Sequence, residues 1–87
     1  MIEKISWTPS AWSDYLYWQS QDKKTLKRIN LLIENMMRTP FEGIGKPEKL
    51  KDNLSGFLSR RIDDTNRIVY AVDEGQITII SCRYHYR

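Results

Sequence analysis

Three strand-like runs close the chain, "GFLSRRI", "RIVYAV" and "QITIISCRYHY", and only "DDTN" and "DEG" separate them. Connections this short make consecutive strands antiparallel neighbours, because a parallel pairing needs a crossover of a dozen or more residues. Alternation then sorts each strand into two faces. In "RIVYAV", Ile68, Tyr70 and Val72 share one side, and Arg67, Val69 and Ala71 the other. In "GFLSRRI", Phe57, Ser59 and Arg61 alternate with Leu58, Arg60 and Ile62. The last run is ambiguous, since Ile77, Ile79, Ser81, Arg83 and His85 share one parity while Thr78, Ile80, Cys82, Tyr84 and Tyr86 share the other. A bulge or a frayed end would let His85 and Tyr86 reach one cleft together.

Upstream, "IEKISW" reads as a first strand. A helix follows, with Thr8 as N-cap and Pro9 at the first helical position. The spacing places Trp12, Tyr15, Leu16 and Gln19 on one helical face, flanked by Ala11 and Trp18. Asp22 is suited to cap a second helix, in which Leu26, Ile29, Ile33 and Met36 recur at helical spacing. "RTPFEGIGKPEKL" breaks that pattern with two prolines and two glycines and reads as a loop. The expected fold class is α+β: a strand, two N-terminal helices packed on one face of a twisted antiparallel sheet, and the other face open.

All 87 residues form one domain, 1–87, since a chain this short has no room for a second core. The net charge of +3 is compatible with a polyanionic partner without requiring one. Arg60, Arg61, Arg67 and Arg83 fall in strands and could converge on one sheet face. Asp63, Asp64, Asp73 and Glu74 fall in turns and need not dilute them. Lys23, Lys24, Lys27 and Arg28 crowd the second helix opposite its apolar stripe, where a solvated face is the simpler reading than a nucleic-acid contact. Trp7, Trp12, Tyr15 and Trp18 read as core rather than as a base-stacking platform. Cys82 is the single cysteine, which rules out an intrachain disulfide and fits a cytoplasmic location. Neither a signal-peptide pattern nor an apolar run near the roughly 20 residues of a membrane span is visible.

One histidine and one cysteine make a poor zinc-ligand set, so no metal is expected. Cys82 and His85 would lie on opposite faces of a regular strand, which disfavours a nucleophile–base dyad and leaves Cys82 as a small core residue. The glycines of "EGIGKP" lack the strand–loop–helix context of a phosphate-binding fingerprint. What these residues permit is acid–base cleavage of RNA through its own 2′-hydroxyl, with no cofactor. A single histidine excludes a two-histidine arrangement, so the second group is a carboxylate, a lysine or a tyrosine. Glu48 is the carboxylate best placed near a sheet cleft. Arg61 and Arg67 could clamp phosphate with planar donors, Lys51 could add charge, and His85 titrates in the useful range. Tyr84 and Tyr86 could stack on bases, or could be ordinary sheet aromatics.

"DYLYWQ", "RTPFEGIGKPEKLKDNLSGFLSRRI", "RIVYAV" and the closing "CRYHY" together resemble the Txe/YoeB family of toxin–antitoxin toxins, within the RelE-like superfamily. The resemblance covers nearly the whole chain in order. It implies a microbial-ribonuclease-like α+β fold and a ribosome-dependent endoribonuclease that cuts messenger RNA in the decoding site and inhibits translation. It also implies a cognate antitoxin of the YefM/Axe type and leaves homodimerisation open. Carried over by position, it assigns the general base to Glu48, the phosphate-stabilising arginine to Arg67, the general acid to His85 and an adjoining aromatic to Tyr86. Lys51 and Arg61 match further basic positions for RNA contact. Leu58 departs from the tryptophan expected in "GF-SRR", and Arg87 extends past the usual terminal tyrosine. Two other readings use the same fold: a non-catalytic module that blocks the ribosome by occupancy, and a subunit that acts mainly as its antitoxin's partner in repression.

Overall fold

The computed structural model describes residues 2–84, so Met1, His85, Tyr86 and Arg87 lie outside the described residues. The elements run β1 (Lys4–Trp7), α1 (Pro9–Gln21), α2 (Lys23–Arg38), β2 (Glu48–Lys49), a single 3-10 turn (Asp52–Leu54), β3 (Leu58–Arg61), β4 (Arg67–Asp73) and β5 (Gln76–Ser81). They form a five-stranded sheet in the order β1-β5-β4-β3-β2. Strands β2 to β5 pair antiparallel, as their short connections require. β1 differs: it lies parallel to β5, with Ile5 opposite Ile77 and Trp7 opposite Ile79. The helices and the other strands that separate β1 from β5 in sequence supply the long crossover a parallel pairing needs.

The α1 N-terminus forms as the sequence predicts. Thr8 is extended, and its Oγ1 accepts the Ala11 N–H at 3.0 Å with Pro9 directly after it. The same hydroxyl donates to the Ile80 carbonyl at 2.9 Å, so the cap also ties α1 to β5. Thr8→Ala removes both bonds and is expected to cost about 1–2 kcal/mol. Thermal unfolding checks this, since each kcal/mol lowers the midpoint of a domain this size by roughly 4–8 °C.

Asp22 closes α1 and opens α2, accepting from the Lys24 and Thr25 N–H groups and from the Thr25 hydroxyl. These bonds hold its carboxyl below the usual range. Ile29, Leu32, Ile33 and Met36 of α2 are buried against Leu58, Ile68, Tyr70, Ile77 and Ile79 of the sheet. Burying an aliphatic side chain of this kind contributes about 1.5–3 kcal/mol. The buried stripe of α1 is Ala11, Asp14 and Trp18, not the expected Trp12 face. Trp12 and Leu16 are about half exposed, and Trp12 stacks on Tyr15 and meets Trp7 edge-on.

The ambiguous last strand is resolved by a bulge. Tyr70 pairs with Ile79 and Val69 with Ser81, so Ile80 has no opposite number on β4. One extra residue reverses the parity beyond it. Ile77 and Ile79 therefore face the helices, and past the bulge it is Cys82 that turns inward, its thiol 3.7 Å from the Ala11 carbonyl. Cys82 is fully buried, as expected of a small core residue. Regular strand ends at Ser81, so Cys82, Arg83 and Tyr84, which the alternation includes in the strand, lie past the end of β5.

Candidate active site

The face of the sheet away from the helices carries the candidate chemistry. Residues opposite one another in an antiparallel pair point the same way. Glu48 lies opposite Ser59, Ser59 opposite Val69, and Arg61 opposite Arg67. That register puts Glu48, Ser59, Arg61 and Arg67 on one surface. The Arg67 guanidinium is 3.2 Å from Glu48 Oε1 and donates to Ser59 Oγ at 3.3 Å. Arg67 is mostly shielded while Glu48 is half exposed, so the pair sits at the bottom edge of an open surface.

The loop before Glu48 is tied to the sheet by a buried arginine and a tyrosine. β2 has only two residues, both exposed, and it forms by adding to the open edge of β3. Residues 39–45 are held by the Arg60 guanidinium, which is fully buried. It donates to the carbonyls of Thr39 at 2.6 Å, Glu42 at 2.9 Å and Ile44 at 3.2 Å, to Asn35 Oδ1 at 2.6 Å and to the Tyr70 hydroxyl at 3.0 Å. The Tyr70 hydroxyl in turn donates to the Pro40 carbonyl at 2.7 Å. Burial raises the Tyr70 pKa; the neighbouring Arg60 opposes this without cancelling it. Gly45 has φ +80°, and a Cβ there would lie 2.7 Å from Leu32 Cδ2, so glycine is required.

The four strand-borne arginines do not converge. Arg60 faces the helices and belongs to the loop cage, and Arg83 lies past the end of β5, its guanidinium 3.5 Å from the Tyr17 ring centre. Only Arg61 and Arg67 share the open face. The acids in turns do reach them: the Arg61 guanidinium is hydrogen-bonded to the Asp64 carboxylate. That contact is mostly in solvent and adds little stability, yet it partly neutralises Arg61. Lys51 is exposed beyond β2, just ahead of the 3-10 turn. Leu58 is buried on the helix-facing side opposite Tyr70, away from Glu48 and Arg67. Arg28, expected on a solvated face, instead donates to the Arg61 carbonyl at 3.1 Å.

His85 and Tyr86 lie outside the described residues, and the residues leading to them are closely held. The Arg67 N–H donates to the Tyr84 carbonyl at 2.8 Å, and Asn66 Oδ1 accepts the Tyr84 N–H at 2.7 Å. Asn66 belongs to the β3–β4 turn organised by Asp63. Desolvation pushes that carboxyl up, but hydrogen bonds from Thr65 and Asn66 outweigh it and hold the carboxyl below its usual range. Asp14 and Trp18 bind the Cys82 backbone from α1. Ser59, Asn66, Asp14 and Trp18 were absent from the sequence-derived site. A signal existed for Asp14, a carboxylate at helical spacing between the small Ala11 and the large Trp18.

The family model for "YoeB-like toxin of bacterial type II toxin-antitoxin system" matches residues 7–86. Toxin YoeB of Escherichia coli strain K12 is 58% identical over 83 residues, covering 95% of this chain and 99% of that protein. YoeB of Staphylococcus aureus, solved in a heterotetrameric complex with YefM, superposes with a TM-score of 0.89 at 50% identity over 99% of each chain. The Staphylococcus aureus YoeB dimer superposes with a TM-score of 0.90 at 50% identity, covering 99% of this chain and all of that one. With the family model matching residues 7–86 and a relative 58% identical over 95% of the chain, the chain belongs to the YoeB family of toxins of bacterial type II toxin–antitoxin systems.

Proposed function

We propose that the protein is a ribosome-dependent endoribonuclease that cleaves messenger RNA in the decoding site and so stops translation. The observation that carries this reading is the Glu48–Arg67 pair, 3.2 Å apart on the open sheet face. A proton acceptor thus stands beside a planar phosphate-binding cation. In the reaction, Glu48 takes the proton of the 2′-hydroxyl as its oxygen attacks the adjacent phosphorus. The O2′–P bond forms and the P–O5′ bond breaks. Arg67 stabilises the added charge of the phosphorane, and His85 in its protonated form gives its proton to the departing 5′-oxygen. The products carry a 2′,3′-cyclic phosphate and a 5′-hydroxyl. Tyr86 adjoins the reacting nucleotides, while Lys51 and Arg61 hold the RNA backbone. The positive charge comes from the chain's own side chains, without a metal.

The proposed partners are ribosome-bound message and an antitoxin of the YefM kind, the latter by analogy with the Staphylococcus aureus complex. A second copy of the chain is proposed by analogy with the dimer of that relative. Primer extension on a translated message, with and without ribosomes, tests the reading. New 5′ ends are expected only with ribosomes, carrying a 5′-hydroxyl, and His85→Ala should reduce them about 10²–10⁴-fold. Inhibition of translation with no new ends would establish blockade by occupancy instead, and a 5′-phosphate product would rule out attack by the internal 2′-hydroxyl.

A further inference from the structure

The residues between β5 and the proposed general acid are clamped at every main-chain group of Cys82 and Tyr84. Asp14 Oδ2 accepts the Cys82 N–H at 3.0 Å, and Trp18 Nε1 donates to the Cys82 carbonyl at 2.8 Å. Two residues on, Asn66 Oδ1 accepts the Tyr84 N–H at 2.7 Å and the Arg67 N–H donates to the Tyr84 carbonyl at 2.8 Å. Between them, the Arg83 guanidinium lies over the rings of Tyr17 at 3.5 Å and Tyr84 at 4.6 Å. Asp14 is 4% exposed, Trp18 8% and Cys82 fully buried, so the α1 half of the clamp works where water does not compete. Tyr84 has φ +65°, a conformation non-glycine residues keep only when their surroundings over-determine it. The next residue in the sequence is His85.

We infer that Asp14, Trp18 and Asn66 are positioning residues for the proposed general acid, fixing the backbone through Tyr84, the residue that His85 follows in the sequence. The inference rests on the ribonuclease reading above. A buried carboxylate facing a single-residue-wide backbone stretch is a costly way to hold a strand end if packing is all that is required. It is an effective way to fix the direction of the chain beyond. Rates depend steeply on such placement, because a shift of about 1 Å at a reacting group can cost on the order of 10²-fold.

The test compares two ribosome-bound messages, one natural and one with the 5′-bridging oxygen at the cleaved position replaced by sulfur. A thiolate departs without protonation, so a defect confined to the general acid disappears on the sulfur substrate. The sulfur-to-oxygen rate ratio within one protein preparation does not depend on the folded fraction, so lost stability alone leaves it unmoved. His85→Ala is expected to raise this ratio about 10²-fold or more. Asp14→Ala and Asn66→Ala should raise it about tenfold or more, and Trp18→Phe, which deletes only the N–H, should raise it in the same direction. Asp14→Asn keeps a carbonyl acceptor for Cys82 and should stay within about threefold of wild type. If His85→Ala raises the ratio while Asp14→Ala, Trp18→Phe and Asn66→Ala leave it at the wild-type value, the positioning role is overturned and the general-acid assignment stands. If His85→Ala itself leaves the ratio unchanged, the general-acid reading falls and the inference falls with it.

Discussion

Glu48→Gln is expected to slow cleavage of ribosome-bound message by about 10²–10⁴-fold while leaving the fold intact. Glutamine has nearly the same shape and keeps an oxygen that can accept from Arg67 and stay opposite Ser59. What it lacks is a carboxylate that can accept the proton of the 2′-hydroxyl as the bond to phosphorus forms. Because Glu48 is half exposed, its ion pair with Arg67 adds little to stability, and unfolding free energy should change by less than about 1 kcal/mol. Single-turnover cleavage at saturating toxin separates the effects: the chemical rate should fall and half-saturation should change little. A rate within tenfold of wild type would remove Glu48 from the base role and return that role to a lysine or a tyrosine.

Arg60→Ala is expected to have the largest effect on stability, about 3–5 kcal/mol out of the 5–15 typical of a whole domain. The substitution strips donors from the carbonyls of Thr39, Glu42 and Ile44, from Asn35 Oδ1 and from the Tyr70 hydroxyl. These acceptors lie in a part-buried pocket, and each left without a donor costs roughly 1–3 kcal/mol before relaxation. Lysine is a poor substitute, since a compact ammonium cannot reach both sides of the loop as the planar fork does. Urea unfolding should show a lower midpoint with an unchanged slope for Arg60→Ala, and an intermediate loss for Arg60→Lys. An Arg60→Ala midpoint equal to wild type would mean that the 39–45 loop is held by other contacts.

These two variants also separate the legible from the illegible parts of the sequence. Alternation in "RIVYAV" was enough to put Arg67 on the face away from Tyr70. The same rule, applied to "GFLSRRI", puts Arg60 with Leu58 and Ile62 on the buried side and Arg61 on the other. Arginine composition alone had grouped the two. The Arg61–Asp64 contact also shows that acids in a turn can fold back onto a neighbouring strand. On α1, several apolar arcs fit a helical wheel, and the chain buries the one centred on Asp14 rather than the one centred on Trp12. An apolar count favours the wrong arc, because Asp14 is buried to satisfy the Cys82 N–H.

The sequence by itself determined the helical hairpin, the antiparallel meander, the cap at Thr8 and the family. Local propensity, strand period and turn length are short-range properties, so they are written in consecutive residues. Only the tertiary structure decided that β1 joins β5 in parallel, that Ile80 bulges and turns Cys82 inward, and that β2 forms on the edge of β3. It also decided that Glu48 meets Arg67 while Arg60 does not. Each of these depends on hydrogen-bond partners many positions away, and a buried polar group is satisfied by whatever the fold brings to it rather than by its neighbours in the chain.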